Sequence, residues 1–97
     1  MSPIDERTSI HLADLFNALS DPTRLSILSA LIEREMSVGE IAAAINLSES
    51  AVSHQLRGLR QMRIVRPRKE GRQVFYCIED EHVAQIFQMG LNHVVQG

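Results

Sequence analysis

The chain has 97 residues, 44% hydrophobic and 23% charged, with a net charge of −2, a pI near 6.0 and one cysteine, Cys77. This composition excludes collagen-like, low-complexity and wholly disordered chains, and a lone cysteine excludes an internal disulfide or a CxxC zinc site. No apolar run approaches the ~18 residues of a spanning helix and the polar start lacks a signal-peptide core, so a cytoplasmic chain with no membrane partner is expected.

Taken in order, the first seven residues read as frayed. Ile10, Leu12, Leu15, Phe16 and Leu19 then recur at helical spacing from Thr8 to Leu19. Asp21 and Pro22 suit the N-cap and first turn of a second helix, running to about Glu35 and burying Leu25, Leu28, Leu31 and Ile32. Ser37 and Glu40 have the spacing of a capping box, which opens a short helix from Val38 to Ile45. After the turn Asn46-Leu47-Ser48, Ser48 caps a helix at about residues 49–62, with Val52, Leu56, Leu59 and Met62 on one face. The period then changes. Residues 64–68 and 73–78 read as two strands, joined by a tip Lys69-Glu70-Gly71-Arg72 in which Gly71 supplies a positive φ. Asp80 caps a last helix to about Gln96. The expected fold is mainly α with a β-hairpin wing: a winged helix-turn-helix in the order α-α-α-α-β-β-α, one domain over residues 1–97.

The net charge conceals a segregation. From Arg57 to Arg72 seven basic residues meet one acidic residue, Glu70, a local +6; the remaining chain carries −8. Phosphates respond to the local field, so the patch counts for more than the total. Two helices joined by a short turn and followed by a basic hairpin place the second helix in the major groove of duplex DNA. The DNA-binding residues expected on that helix are Ser48, Glu49, Ser50, Ser53, His54 and Arg57, small or polar groups able to reach base edges or phosphates. Arg68, Lys69 and Arg72 on the wing (about 64–78) would add phosphate or minor-groove contacts. Glu49 is the odd member, because its carboxylate repels phosphate.

The segment Ser20-Asp21-Pro22-Thr23-Arg24-Leu25, followed by Ile27-Leu28, resembles the second helix of the ArsR–SmtB family of bacterial repressors. Leu47 to Arg57 (LSESAVSHQLR) is similar to that family's recognition helix, and Gly71 to Tyr76 (GRQVFY) to its wing. The resemblance covers the chain from about Leu12 onward. It implies a homodimeric repressor, paired through its N- and C-terminal helices, that binds an operator of twofold symmetry and is released by an inducer.

The resemblance also implies where a metal inducer binds. One type of site in the family needs cysteines at the start of the helix before the recognition helix. Here that segment, Glu35 to Glu40, carries serine. A second type lies on the last helix (about 80–96), where Asp80, His82, His93 and Gln96 fall at the family's Asp-x-His and His-x-x-(His or Glu) positions. His82 and His93 differ by only ~20° around a helix but lie ~16 Å apart along it. One helix therefore cannot bring both to one ion, whereas two antiparallel copies can. Asp80 and His82 of one protomer would face His93 of the other, giving two sites per dimer suited to Zn²⁺, with Co²⁺ or Ni²⁺ tolerated. Gln96 departs from the pattern, since a neutral amide is a poor zinc ligand. A three-ligand site completed by water, a weaker site and a site that no longer senses metal all remain open. Val83, Ile86, Phe87, Gly90, Leu91 and Val94 form an apolar stripe beside the histidines.

The expected function is a dimeric repressor, not an enzyme, whose affinity for operator DNA falls when zinc binds between the C-terminal helices. The alternative is a repressor of the same fold that responds to redox state or another ligand, or is constitutive, with a degenerate metal site. A zinc hydrolase lacks a candidate general base on this chain. A pure dimerisation module leaves the basic segment without a role.

Overall fold

The computed structural model describes residues 2–97. Helices α1 (Glu6–Leu19) and α2 (Pro22–Leu31) lead into a two-residue strand β1 (Met36–Ser37). Next come α3 (Val38–Ile45), α4 (Glu49–Gln61), the hairpin β2 (Val65–Glu70) and β3 (Gln73–Ile78), and α5 (Glu81–Gln96). The architecture is the expected winged helix-turn-helix, with one additional strand.

Each helix starts where a side chain satisfies its free amides. Asp5 accepts from the Thr8 amide and Asp21 from the Arg24 amide. Ser37 and Glu40 form the reciprocal capping box, Ser48 accepts from the Ala51 amide, and Asp80 from those of His82 and Val83. The Asp5 cap begins α1 two residues earlier than the apolar periodicity does. Helix α2 ends at Leu31, four residues short of expectation, because the chain turns there to place Met36 and Ser37 in the sheet. Strand β1 pairs antiparallel with β3, Met36 opposite Tyr76 and Ser37 opposite Phe75, in the sheet order β1-β3-β2. Two residues carry no periodicity of their own, and their partners lie some forty residues downstream.

The hairpin is tighter than the four-residue tip read from the sequence. Lys69 and Glu70 belong to β2, Glu70 pairs with Gln73, and only Gly71 and Arg72 form the turn. Gly71 has φ +62° and Arg72 has no positive φ, as in a type II′ turn with glycine first.

The core draws on the end of α1, on α2 to α4, the base of the wing and one residue of α5: Ile27, Leu28, Ile41, Leu56, Leu59 and Val83 are at most 2% exposed. Leu25, expected inside, lies at the surface, as does Met62 at the end of the apolar face of α4; Ile27 takes the buried position on α2. Helix α1 buries only Ala18 and Leu19, and α5 only Val83. Leu15, Ile86 and Phe87 are half-buried against the core, whereas Phe16, Leu91, Val94 and Val95 are exposed. Phe16 of α1, Leu25 of α2, Ile45 of α3, and Phe87 and Leu91 of α5 line an apolar groove of ≈ 730 Å³.

Candidate nucleic-acid interface and metal-ligating helix

The turn that orients α4 against α3 rests on Asn46. It has φ 57°, a left-handed conformation that its short polar side chain tolerates, and lets the Leu47 amide donate to the Ala42 carbonyl at 3.0 Å. Val52, Leu56 and Leu59 then bury one face of α4. The opposite face presents Ser48, Glu49, Ser50, Ser53, His54 and Arg57 to solvent.

Two of these side chains have work within the protein. The Ser48 hydroxyl accepts the Ala51 amide at 3.1 Å, which leaves its own hydrogen available to a ligand. The Glu49 carboxylate lies against the first turn of α3, where a Cβ on Gly39 would stand 3.8 Å from Oε2. The free amides of that turn favour a negative charge. This accounts for a carboxylate at the mouth of an otherwise neutral or basic surface.

On the wing, Lys69 and Arg72 are exposed and have no carboxylate partner among the described residues. Arg68 is different. Its Nε donates to both Glu35 oxygens, at 3.0 and 3.2 Å, and its Nη2 also bonds Glu35. Nη1 pairs with Glu70 at 2.9 Å, and the guanidinium carbon stands 5.2 Å from the centre of the Phe75 ring. These partners hold the Glu35 carboxyl below, and the Arg68 guanidinium above, their ordinary pKa values.

Sequence reading also missed Arg24. Its Nε donates to Gln55 on α4 at 3.0 Å and its Nη1 to the Ala18 carbonyl at the end of α1 at 3.3 Å. It thus links the first helix to the recognition helix. The Arg24–Gln55 separation of 31 residues has no signature in a single sequence.

On α5, the Asp80 carboxylate caps the helix and stands 3.5 Å from the His82 imidazole, Oδ1 to Nδ1. His82 and His93 are both exposed, in the first and last turns of the helix. Among the described residues, no three His, Cys, Asp or Glu side chains of one chain gather closely enough to hold an ion. Asp80 and His82 thus bring one carboxylate and one imidazole together, while His93 lies at the other end of the helix. Their chemistry fits a borderline divalent cation, and Gln96 adds only an amide at the far end. Cys77 is half-buried in β3 and unpaired.

No helix among the described residues is long and apolar enough to cross a membrane.

Comparison with known proteins places this geometry. A family model, "bacterial regulatory protein, arsR family", matches residues 21–66, which span α2 to the start of the wing. A "transcriptional repressor SmtB homolog" from Synechocystis sp. is 47% identical over 83 residues, 86% of this chain and 63% of that protein. The chain thus spans somewhat less than two thirds of that relative's length. The "HTH-type transcriptional regulator NmtR" of Mycobacterium tuberculosis is 38% identical over 92 residues, covering 95% of this chain and 77% of the regulator. Among solved structures, the AntR antimony-specific transcriptional repressor superposes with a TM-score of 0.92 at 31% identity, covering 99% of this chain and 87% of that one. Apo-NmtR superposes at 0.85 and 36%, covering 100% and 82%. Fold, motifs and relatives agree: the chain belongs to the ArsR–SmtB family of winged helix-turn-helix transcriptional regulators, a family of DNA-binding regulators and not of enzymes.

Proposed function

We propose that the protein is a cytoplasmic, homodimeric repressor that reads an operator of twofold symmetry with α4 and the wing. The observation that carries this reading is the set of exposed polar side chains from Ser48 to Arg57, flanked by the unpaired cations Lys69 and Arg72. Serine hydroxyls, the His54 imidazole and the Arg57 guanidinium bond base edges or phosphates, while Lys69 and Arg72 supply charge to the neighbouring backbone.

Surface area supports a dimer. The chain exposes 7097 Å², against roughly 5,600 Å² expected for a folded monomer of this mass. The excess of roughly 1,500 Å² is the scale of one partner's share of a large, stable interface. The exposed apolar side chains of α1 and α5 are the surface that such pairing would cover.

The α5 donors support a metal-responsive repressor. Asp80 and His82 of one protomer, with His93 of the other, would hold a transition metal, zinc foremost and Co²⁺ or Ni²⁺ as substitutes. Such an ion supplies a bond between the two α5 helices. The residues then favour whichever spacing of the two α4 helices brings these donors together, and a typical coupling of ~1–3 kcal/mol lowers operator affinity by roughly 5- to 150-fold. Gln96 favours a second reading, a repressor whose metal site is degenerate, so that redox state or another ligand releases it or nothing does.

One experiment addresses both. A duplex is selected by the protein from a randomised 30-base-pair pool, and its affinity is measured by fluorescence anisotropy across salt and with and without Zn²⁺. Expected are a steep salt dependence, two Zn²⁺ per dimer and weaker binding when zinc is present, a weakening abolished by His93→Ala. Salt-sensitive binding that ignores Zn²⁺ leaves the repressor and sinks the metal site. Failure to select any duplex sinks the repressor reading.

A further inference from the structure

Arg68 lies in the basic segment, yet it is the wing cation most fully occupied by the protein itself. Directly paired residues share a face of the sheet, so Arg68 on β2 stands beside Phe75 on β3, with Ser37 on β1 beyond it. Alternation puts this face opposite the one carrying Val65, Tyr76 and Ile78, which packs on or lies within the core. Lys69 and Val74 share the core-facing side, whereas Arg68 is turned away from it. From there the guanidinium crosses the Phe75 ring and reaches Glu35, in the connection just before β1, while its other nitrogen holds Glu70 near the wing tip. One side chain thus joins the connection leaving α2, the central strand and the outer end of the edge strand. Two carboxylates on one guanidinium also leave this spot without positive charge to offer a phosphate.

We infer that Arg68 is a positioning residue for DNA recognition: clasped by Glu35 and Glu70 across Phe75, it sets the wing against the α2–β1 connection so that Lys69 and Arg72 reach the backbone beside α4. The inference rests on the DNA-binding reading, and one arm of its test needs no DNA. A planar, forked guanidinium is required, because a lysine ammonium is a point charge that neither bridges two carboxylates nor stacks on a ring in the same way.

The full-length protein serves throughout, with Arg68→Gln, Arg68→Lys, Glu35→Gln and the Glu35→Gln/Arg68→Gln double variant. Without DNA, amide hydrogen exchange across β2 and β3 should quicken to a similar extent in all four variants. With the selected duplex, each should weaken binding by roughly two- to fivefold, the scale of an exposed ion pair, with the salt slope unchanged. The double variant should be no weaker than the worse single variant. A direct phosphate contact predicts the opposite pattern. Arg68→Gln would lower the salt slope by about 0.9, Arg68→Lys would bind nearly as well as the parent, and Glu35→Gln would bind equally or more tightly. That pattern, or wing exchange left unchanged by Glu35→Gln, overturns the assignment. If no duplex is selected, the DNA reading has failed and the exchange measurement still decides whether the clasp holds the wing.

Discussion

Arg63 adopts a left-handed backbone conformation, φ 59°, immediately after α4. Its amide donates to the Arg60 carbonyl at 2.9 Å and the Ile64 amide to that of Leu59 at 3.0 Å, the paired bonds of a Schellman ending, with Leu59 and Ile64 both buried. Glycine is the usual occupant, and an L-residue there costs roughly 1–2 kcal/mol of backbone strain. Arg63→Gly should therefore raise stability by about 1 kcal/mol, less the added entropy of the unfolded chain, read as a higher urea midpoint at constant m-value. The carboxylates Glu35 and Glu40 point to a pH dependence. Glu35 is held below its ordinary value of 4.5 by Arg68, and Glu40 by the Ser37 amide. Groups with depressed folded-state pKa values contribute stability above the unfolded value and lose it as pH falls through the folded one. Urea midpoints should thus drop on acidification below about pH 4.5, less so in Glu35→Gln, where nothing titrates at that position. At this scale local chemistry was legible in the sequence. The capping box of Ser37 and Glu40 spans four residues, its partners only three positions apart. Glu35 and Arg68 are 33 residues apart and meet only because β1 joins the wing.

Among the elements, α4 has two faces with separable roles. Leu56 is buried among the core residues and exposes 1% of its surface, while Ser53 and His54 face solvent. Leu56→Ala should cost ~2–5 kcal/mol of folding stability, whereas His54→Ala should leave the thermal midpoint within a few degrees of the parent and weaken duplex binding. Differential scanning calorimetry beside anisotropy separates the two. Ser37→Ala, which removes the cap of α3, should cost about 1 kcal/mol. Helices α2 to α5 were readable because a cap residue precedes the apolar periodicity in each, whereas α1 starts at the Asp5 cap, two residues ahead of its own periodicity. Strand β1 was not, since a two-residue strand is defined by hydrogen bonds to β3 and by nothing in its own composition. The early end of α2 follows from the same pairing, which pulls Met36 and Ser37 into the sheet.

The radius of gyration of the whole chain is 14.6 Å, against roughly 12.5 Å for a compact domain of this length, and the molecule measures 50 × 31 × 20 Å. Such an outline leaves α1 and α5 with apolar faces that the chain itself does not cover. If a second copy covers them, Leu91→Glu should give monomers by sedimentation velocity and lose twofold-symmetric binding, with the α2–α4 core intact. Sequence periodicity showed that α5 has an apolar stripe beside its histidines. It did not show that only Val83 would be buried, because burial depends on what the rest of the chain folds against.

If α5 pairs with its twin as proposed, the exposed Val94 and Val95, at 77% and 74%, carry a consequence for the protein in a cell. When an apolar helix is sheltered only by its twin, folded stability rises with concentration and every dilution uncovers more of the helix. A newly made chain at low copy number then spends longer as a protease substrate than one made after its partners have accumulated. The abundance of the regulator would thus resist falling slowly: below the dissociation midpoint, loss accelerates, and growth without resynthesis clears it faster than dilution alone.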